Sequence, residues 1–250
     1  MRSHVALLAA STLALFSTAA HAQTYALQPP SMVQPNGDVD RFFAMVHVPI
    51  GLSFALPFGD LDGANGTGFS ENAGVVTSFE LGAGLRVGRV VGDLIFAIGG
   101  AGGSGPIHES IRAAGFDASG SIRIFFGVDG SYYLRRTESW APWIGLRFGY
   151  ELLGFYGDRG DANLSLTWGG IYMAARSGID WRITQGFGLG AYLELGLGRA
   201  LSASAESYVD DDPLTLENER ALSSTTTPID LKGGAFHGSI GLGLRLVIFP

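Results

Sequence analysis

Cysteine is absent from the 250-residue chain, which excludes a disulfide framework, a thiolate metal site and a lipid-modified cysteine anchor. Lysine is almost absent: Lys232 stands alone beside fifteen arginines. Charge of either sign is scarce, at 16 % of residues, and the net charge is −7, so nucleic acid is not an expected partner. Also missing is any uninterrupted apolar run of the ~18 residues that a helix needs to cross a bilayer. Mean hydropathy is nevertheless positive, +0.24, and glycine accounts for 38 residues, about twice ordinary usage. Such a chain fits poorly in water and well in a β-barrel whose outer face meets lipid.

The N-terminus reads as an export signal. Met1-Arg2-Ser3-His4 is a short basic start, Val5 to Phe16 is an apolar stretch, and Ala20-His21-Ala22 is a small-x-small cleavage pattern. Residues 1–22 are expected to be removed near Ala22. Gln23–Asp40 is then expected to be a periplasmic tail, with one barrel domain over 41–250.

From Arg41 onward the dominant signal is a period of two, the mark of strands with one face in a nonpolar medium. Eight segments carry it: Arg41–Leu56, Val75–Arg89, Leu94–Gly102, Ser121–Arg135, Trp143–Leu153, Leu166–Arg182, Phe187–Arg199 and Gly234–Phe249. In each, an aliphatic row such as Phe79, Leu81, Ala83, Leu85 opposes a row such as Glu80, Gly82, Gly84, Arg86. The connections alternate. Arg89–Asp93, Arg136–Ala141 and Ile183–Gly186 are short, whereas Pro57–Gly74, Gly103–Gly120, Gly154–Asn163 and Ala200–Gly233 are long. Tight turns on one rim and long loops on the other predict an all-β fold, an eight-stranded antiparallel up-and-down transmembrane β-barrel with both termini on the periplasmic side. Aromatic girdles are expected at the two interfaces, with Phe42, Tyr132, Trp143, Trp181, Phe187 and Phe249 near one rim. Phe54, Phe58, Phe155, Tyr156, Trp168 and Phe236 fall near the other.

The rival is a soluble lipocalin-like barrel, whose apolar face points inward. The polar rows decide against it, because they are rich in glycine and carry opposed charges. Glu80, Asp129, Glu151, Asp180 and Glu194 face Arg86, Arg123, Arg147, Arg176, Arg182 and Arg245. A narrow lumen needs glycine to make room for long side chains, and charges enclosed there must be paired. Ten of these, Arg182 aside, are the expected lumen ion network.

These alternating rows, the repeated Gly84-Leu85-Arg86, Gly145-Leu146-Arg147 and Gly243-Leu244-Arg245, and the ending from Gly241 to Phe249 resemble the small outer-membrane barrel superfamily typified by the OmpA transmembrane domain and OmpX. The resemblance covers roughly Arg41 to Phe249. It implies residence among outer-membrane lipid and lipopolysaccharide in a Gram-negative-type envelope. It also implies that the outer-membrane assembly machinery recognises the C-terminal strand, which here departs from the pattern in ending on Pro250.

Other motifs are weighed and set aside. Gly100-Ala-Gly-Gly-Ser-Gly105 matches a dinucleotide fingerprint as a string, but that chemistry needs a helix directly afterwards, and Pro106 with a polar loop is expected instead; His108–Ala114 suggests one short turn. Asp60-Leu61-Asp62 with Glu71 copies three positions of a calcium loop, while Ala64 and Asn65 stand where an oxygen ligand and glycine are required. His237-Gly238-Ser239 resembles the His-x-Ser pair of lipid A deacylases, whose chemistry needs an orienting carboxylate. No acid follows Ser239, so both side chains are expected in the lumen lining. The long loops are acidic, above all at Asp210, Asp211, Asp212, Glu217 and Glu219, a solvated surface or one that meets an extracellular partner. No cofactor, metal or catalytic group is expected. The leading expectation is a non-enzymatic barrel with a largely plugged polar lumen and a structural or surface-interaction role. The alternatives are a narrow channel for small solutes or ions and, behind it, a lipid A-modifying esterase.

Overall fold

The computed structural model describes residues 44–61, 68–134, 140–160, 162–184, 186–209, 223–229, 231 and 235–248. The expected signal peptide and tail lie outside them, as do Phe42 and Phe249. Along the described chain run β1 (Ala44–Gly59), α1 (Phe69–Asn72), β2 (Val76–Val87), β3 (Val90–Ala101), α2 (Pro106–Ala113) and β4 (Asp117–Tyr133). Then follow β5 (Trp140–Arg159), β6 (Ala162–Thr184), β7 (Phe187–Val209), β8 (Ser223–Pro228) and β9 (Phe236–Ile248).

Eight strands close a ring. Each of β1 to β7 pairs antiparallel with the next, β7 pairs with β9, and β9 returns to β1. β8 pairs with the far end of β7 (Ser204–Val209), and β9 pairs with its near part (Phe187–Arg199). The two are sections of one interrupted line of chain. At the break, Ile229 N–H donates to Ala203 O at 2.9 Å and Ala200 N–H to Ala235 O at 3.4 Å, so Ile229 and Ala235 stand opposite Ala203 and Ala200.

The register fixes the geometry. Paired residues lead from Ile50 through Leu81, Phe96, Phe126, Tyr150, Ile171, Arg199 and Phe236, and Phe236 O then accepts from Asp60 N–H. The path returns to β1 ten positions from its start, at residue 60 instead of 50. Eight strands with that stagger tilt by about 40° around a wall roughly 16 Å across between backbones.

Orientation follows from the alternation. β2 alternates buried and exposed residues along nearly its whole length. Outside stand Leu52, Phe54, Leu85, Leu94, Phe96, Phe126, Leu146, Phe148, Met173, Leu195 and Leu242, with Leu94 and Leu146 each 70 % exposed. Inside are glycine, charge and aromatic rings. A continuous aliphatic outer wall of this extent is incompatible with water and matches hydrocarbon. The fold is an eight-stranded antiparallel transmembrane barrel.

Several boundaries move outward from the sequence-based expectation. The connection expected over Gly154–Asn163 is a turn at Gly160 (φ +56°) between β5 and β6. Strand pairing with β6 continues to Arg159, with Phe155 buried and paired across to Leu166. Strand also takes Ala200–Val209 and Ser223–Pro228 of the expected loop Ala200–Gly233, and α2 takes eight residues of Gly103–Gly120. Ile107 and Ile111, four apart, give α2 its buried stripe, and Pro106 opens it at a position where no backbone donor is needed.

Candidate functional site

The inward rows of two neighbouring strands set out the site. From the turn-side rim, β5 presents Trp143, Arg147, Glu151 and Phe155, and β6 presents Asp180, Arg176, Tyr172 and Trp168, all buried. The β5 row sets a charged pair between aromatic ends and the β6 row sets a charged pair below two aromatic rings, so the lumen is built in tiers.

In the middle tier Arg147 reaches across from β5 to β2. Its Nη1 donates to Glu80 Oε1 at 3.0 Å and its Nη2 to Glu80 Oε2 at 2.8 Å. Arg147 also lies 3.4 Å from Asp129 and 3.3 Å from Glu194. Arg176 binds the same three acids: Asp129 directly, Glu80 at 3.2 Å and Glu194 at 3.1 Å. Two guanidiniums thus hold three carboxylates, the multiply shared pairing that enclosed charge requires. Beside them a cavity of about 10 Å³ is lined by Glu80, Asp129, Arg176 and Arg245, at the lower limit of what one water molecule fills.

Nearer the turns, Asp180 is clamped on both oxygens. Arg245 donates Nε to Oδ1 at 2.9 Å and Nη2 to Oδ2 at 2.7 Å, Tyr133 donates its hydroxyl at 2.5 Å, and Trp143 its indole N–H at 3.2 Å. His47 Nδ1 donates to both oxygens of Asp93, at 2.8 and 2.9 Å. In the loop-side tier Glu151 receives Arg123 Nε on one oxygen and His237 Nε2, at 2.6 Å, on the other. Tyr172 donates to Glu194 at 2.9 Å, so the 3.1 Å contact with Ser239 is donated by the serine hydroxyl.

All ten expected network residues therefore face the lumen. Arg182, on the same row, emerges exposed at the turn-side rim. Among the described residues the lumen holds six carboxylates, Glu80, Asp93, Asp129, Glu151, Asp180 and Glu194, against five arginines. His47 and His237 each serve one of the acids.

Each lumen arginine also rests on an aromatic ring: Arg245 on Trp143 at 3.8 Å, Arg176 on Tyr192 at 4.1 Å and Arg86 on Tyr133 at 4.1 Å. Arg123 lies 4.7 Å over Tyr172 and Arg147 5.3 Å over Phe125. Desolvated cation–ring contacts add to the ion pairs. Glycine makes the room. A Cβ at Gly196 would stand 1.7 Å from the Tyr172 hydroxyl, and one at Gly243 would stand 2.1 Å from the Tyr192 ring.

Above the loop-side tier the lumen turns apolar. Leu61, Phe69, Ile107 and Ile111, from the β1–β2 and β3–β4 connections, pack with Leu153, Phe155, Trp168 and Ala235 into one buried cluster. Phe155 meets Trp168 edge to face at 5.5 Å, and Phe69 meets His237 the same way at 5.6 Å. This cap corrects the girdle expectation, since Trp143, Phe155 and Trp168 point inward. Their positions along the strand suit an interface, but each shares a row with Arg147 or Arg176, and row decides side.

Two motif readings are corrected as well. A helix does follow Gly105 directly; its Ile107 N–H, however, is taken by Asn72 Oδ1 at 2.7 Å, and the dinucleotide reading gains nothing. A carboxylate does orient His237, supplied by Glu151 on β5 rather than from downstream. Even so, among the described residues no hydrogen bond joins His237 to Ser239, and the pair lines the lumen. The cation loop is only half visible, because Asp62, Ala64 and Asn65 lie outside the described residues. Within those residues no group of three His, Asp or Glu could hold a metal ion. Asp210, Asp211, Asp212, Glu217 and Glu219 also lie outside them.

No family model matches the sequence, and no curated protein resembles it in sequence. Solved structures resemble it in fold at low identity. A major outer membrane protein from Thermus thermophilus is 13 % identical with a TM-score of 0.49, over 83 % of this chain and 99 % of that one. Neisserial surface protein A is 12 % identical with a TM-score of 0.44, over 81 % and 97 %. OprG from Pseudomonas aeruginosa is 16 % identical with a TM-score of 0.42, over 83 % and 99 %.

Proposed function

We propose that the chain is a non-enzymatic integral outer-membrane barrel that presents its loop-side rim at the cell surface. Its lumen is plugged, and its role is structural or surface-interactive. After signal removal near Ala22, the turns and both termini face the periplasm. The loops, with the acidic stretch from Asp210 to Glu219, face outward to meet lipopolysaccharide headgroups or an extracellular partner. The outer-membrane assembly machinery inserts it through its C-terminal strand.

The observation that carries this reading is the shared binding of Glu80, Asp129 and Glu194 by Arg147 and Arg176 at mid-lumen. A solute would have to break a network whose members lie on β2, β4, β5, β6 and β7 at once, and would then meet the apolar cluster under α1 and α2. Outward-facing leucine and phenylalanine, with glycine and paired ions enclosed, support the membrane setting. Planar-bilayer recording of the refolded protein tests the plug. The expected trace has no stable open state; a persistent open level of sizeable conductance would replace this reading by the narrow-channel one.

A further inference from the structure

From the turns up to the height of Arg199 the outward rows are aliphatic, aromatic, glycine, proline or small polar; Asp158 on β5 and Glu206 on β7 carry outward charge only farther toward the loops. Arg199, exposed on β7, follows Leu193, Leu195 and Leu197 on the same outward row. It lies on the register path that climbs through Phe236 to Asp60 beyond the end of β1, two strands before that point. That height is the loop-side edge of the apolar belt. There an arginine is tolerated far better than at mid-membrane.

Three features prepare this position for a ligand. A groove of about 300 Å³ runs down the outer wall beside Arg199, lined by Phe148, Ile171, Met173, Leu197 and Phe236. The Arg199 guanidinium lies 5.5 Å from the Phe236 ring, which steadies its plane and leaves N–H edges for a partner. Immediately beyond, β7 carries a bulge: Gly170 pairs with Ala200 and Gly169 with Ser202, so Leu201 is the extra residue. Bulges re-aim the side chains next to them. No carboxylate pairs with Arg199 among the described residues. The contrast is the larger hollow, about 670 Å³, between Val90, Tyr132, Ile144 and Leu146 near the turns, whose outward-facing lining carries no charge and suits hydrocarbon.

We infer that Arg199 and the groove beside it form a binding site for a phosphate-bearing membrane lipid, the phosphate held by the guanidinium fork and one acyl chain lying along the groove. Arginine matches phosphate geometry with two parallel donors, and the groove supplies the chain with aliphatic contact instead of a gap. The inference rests on the membrane reading above and adds to it a ligand class and a place.

Native mass spectrometry of the full refolded chain, released from neutral detergent, tests it with three probes: dimyristoyl phosphatidic acid, dimyristoylglycerol with the same chains, and inorganic phosphate. The wild type is expected to retain phosphatidic acid about tenfold better than dimyristoylglycerol, the worth of one charge-assisted contact. Arg199→Gln abolishes that preference, Arg199→Lys keeps part of it, and Met173→Trp, which fills the groove, lowers retention of both lipids. Inorganic phosphate at equal concentration does not displace the lipid. Equal retention of the two lipids by the wild type, an unchanged preference in Arg199→Gln, or complete displacement by inorganic phosphate each overturns the site. Heat-modifiable gel mobility checks every variant, and Leu197→Trp replaces Met173→Trp if the latter does not fold. A wild type without that mobility shift would refute the barrel reading itself, a separate failure.

Discussion

Arg147 and Glu80 meet in parallel, fork to fork, at 3.0 and 2.8 Å from non-adjacent strands on opposite parts of the ring. The pair therefore braces the cross-section of the barrel, where neighbouring-strand contacts would only repeat what the backbone ladder already does. Removing one partner strands the other in a closed interior. Arg147→Met is expected to cost about 3–5 kcal/mol, read from the urea midpoint of the micelle-embedded protein. Arg147→Met combined with Glu80→Gln and Asp129→Asn should recover a large part of that loss. A single variant within about 0.5 kcal/mol of wild type would show that water solvates the stranded charge and that the lumen is open to it.

Glycine on the inner rows gives a second test. A methyl group at Gly196 collides with the Tyr172 hydroxyl, whereas one at Gly92, on the outward row, meets nothing within 4 Å. Gly196→Ala is expected to destabilise by roughly 1–3 kcal/mol through overpacking, and Gly92→Ala to stay within about 0.5 kcal/mol of wild type. Equal effects at the two positions would contradict the assignment of sides.

The same row logic marks how far the sequence was legible. Period-two alternation found the eight ring strands and brought all ten network residues to the lumen. It misses Asp93, because regular apolar alternation begins only at Leu94 and leaves Asp93 in the expected turn Arg89–Asp93. Gly88, with φ +60°, turns the chain in two residues, and β3 already begins at Val90. Trp143, Phe155 and Trp168 stand at interface heights but on inward rows, and the row, not the height, sets the side. The arginine–ring contacts were visible in principle, since Phe125, Tyr133, Tyr172 and Tyr192 all lie on charged rows. The Glu151–His237 pair was not, because no local spacing joins β5 to β9; only ring closure through the ten-residue stagger does.

Leu146 tests lipid contact directly. It is 70 % exposed and sits on the outward row of β5 beside Arg147, level with the middle tier of the lumen. Leu146→Arg is expected to lower folding stability in lipid vesicles by about 2–4 kcal/mol, and Leu201→Arg, at the loop-side edge, by about 0–1 kcal/mol. On a soluble protein both changes would be neutral and would raise solubility, so a flat response across the two depths would remove the bilayer from the account.

Asn72 holds the cap together at one point. Its side chain is fully buried; Nδ2 donates to Gly68 O at 2.7 Å within α1, and Oδ1 accepts Ile107 N–H at 2.7 Å from the first turn of α2. The two connections are brought this close by Gly105, whose φ of +85° and missing Cβ, which would stand 2.0 Å from Glu71 O, no other residue tolerates. Asn72→Ala leaves the buried Ile107 N–H without its partner, at a cost of about 1–3 kcal/mol, while Gly68 O keeps the backbone N–H groups of Glu71 and Asn72 at 3.2 Å. Neither helix belongs to the strand ladder that closes the ring, so the loss falls on local opening of the cap and not on the wall. Hydrogen exchange should therefore accelerate roughly tenfold or more at Ile107 and Ile111, while amides of β5 and β6 below Glu151 keep their protection. Faster exchange spread evenly over the wall would mean that cap and ring unfold as one unit, and unchanged exchange at α2 would mean that the apolar cluster of Phe69, Phe155 and Trp168 holds the helices without Asn72.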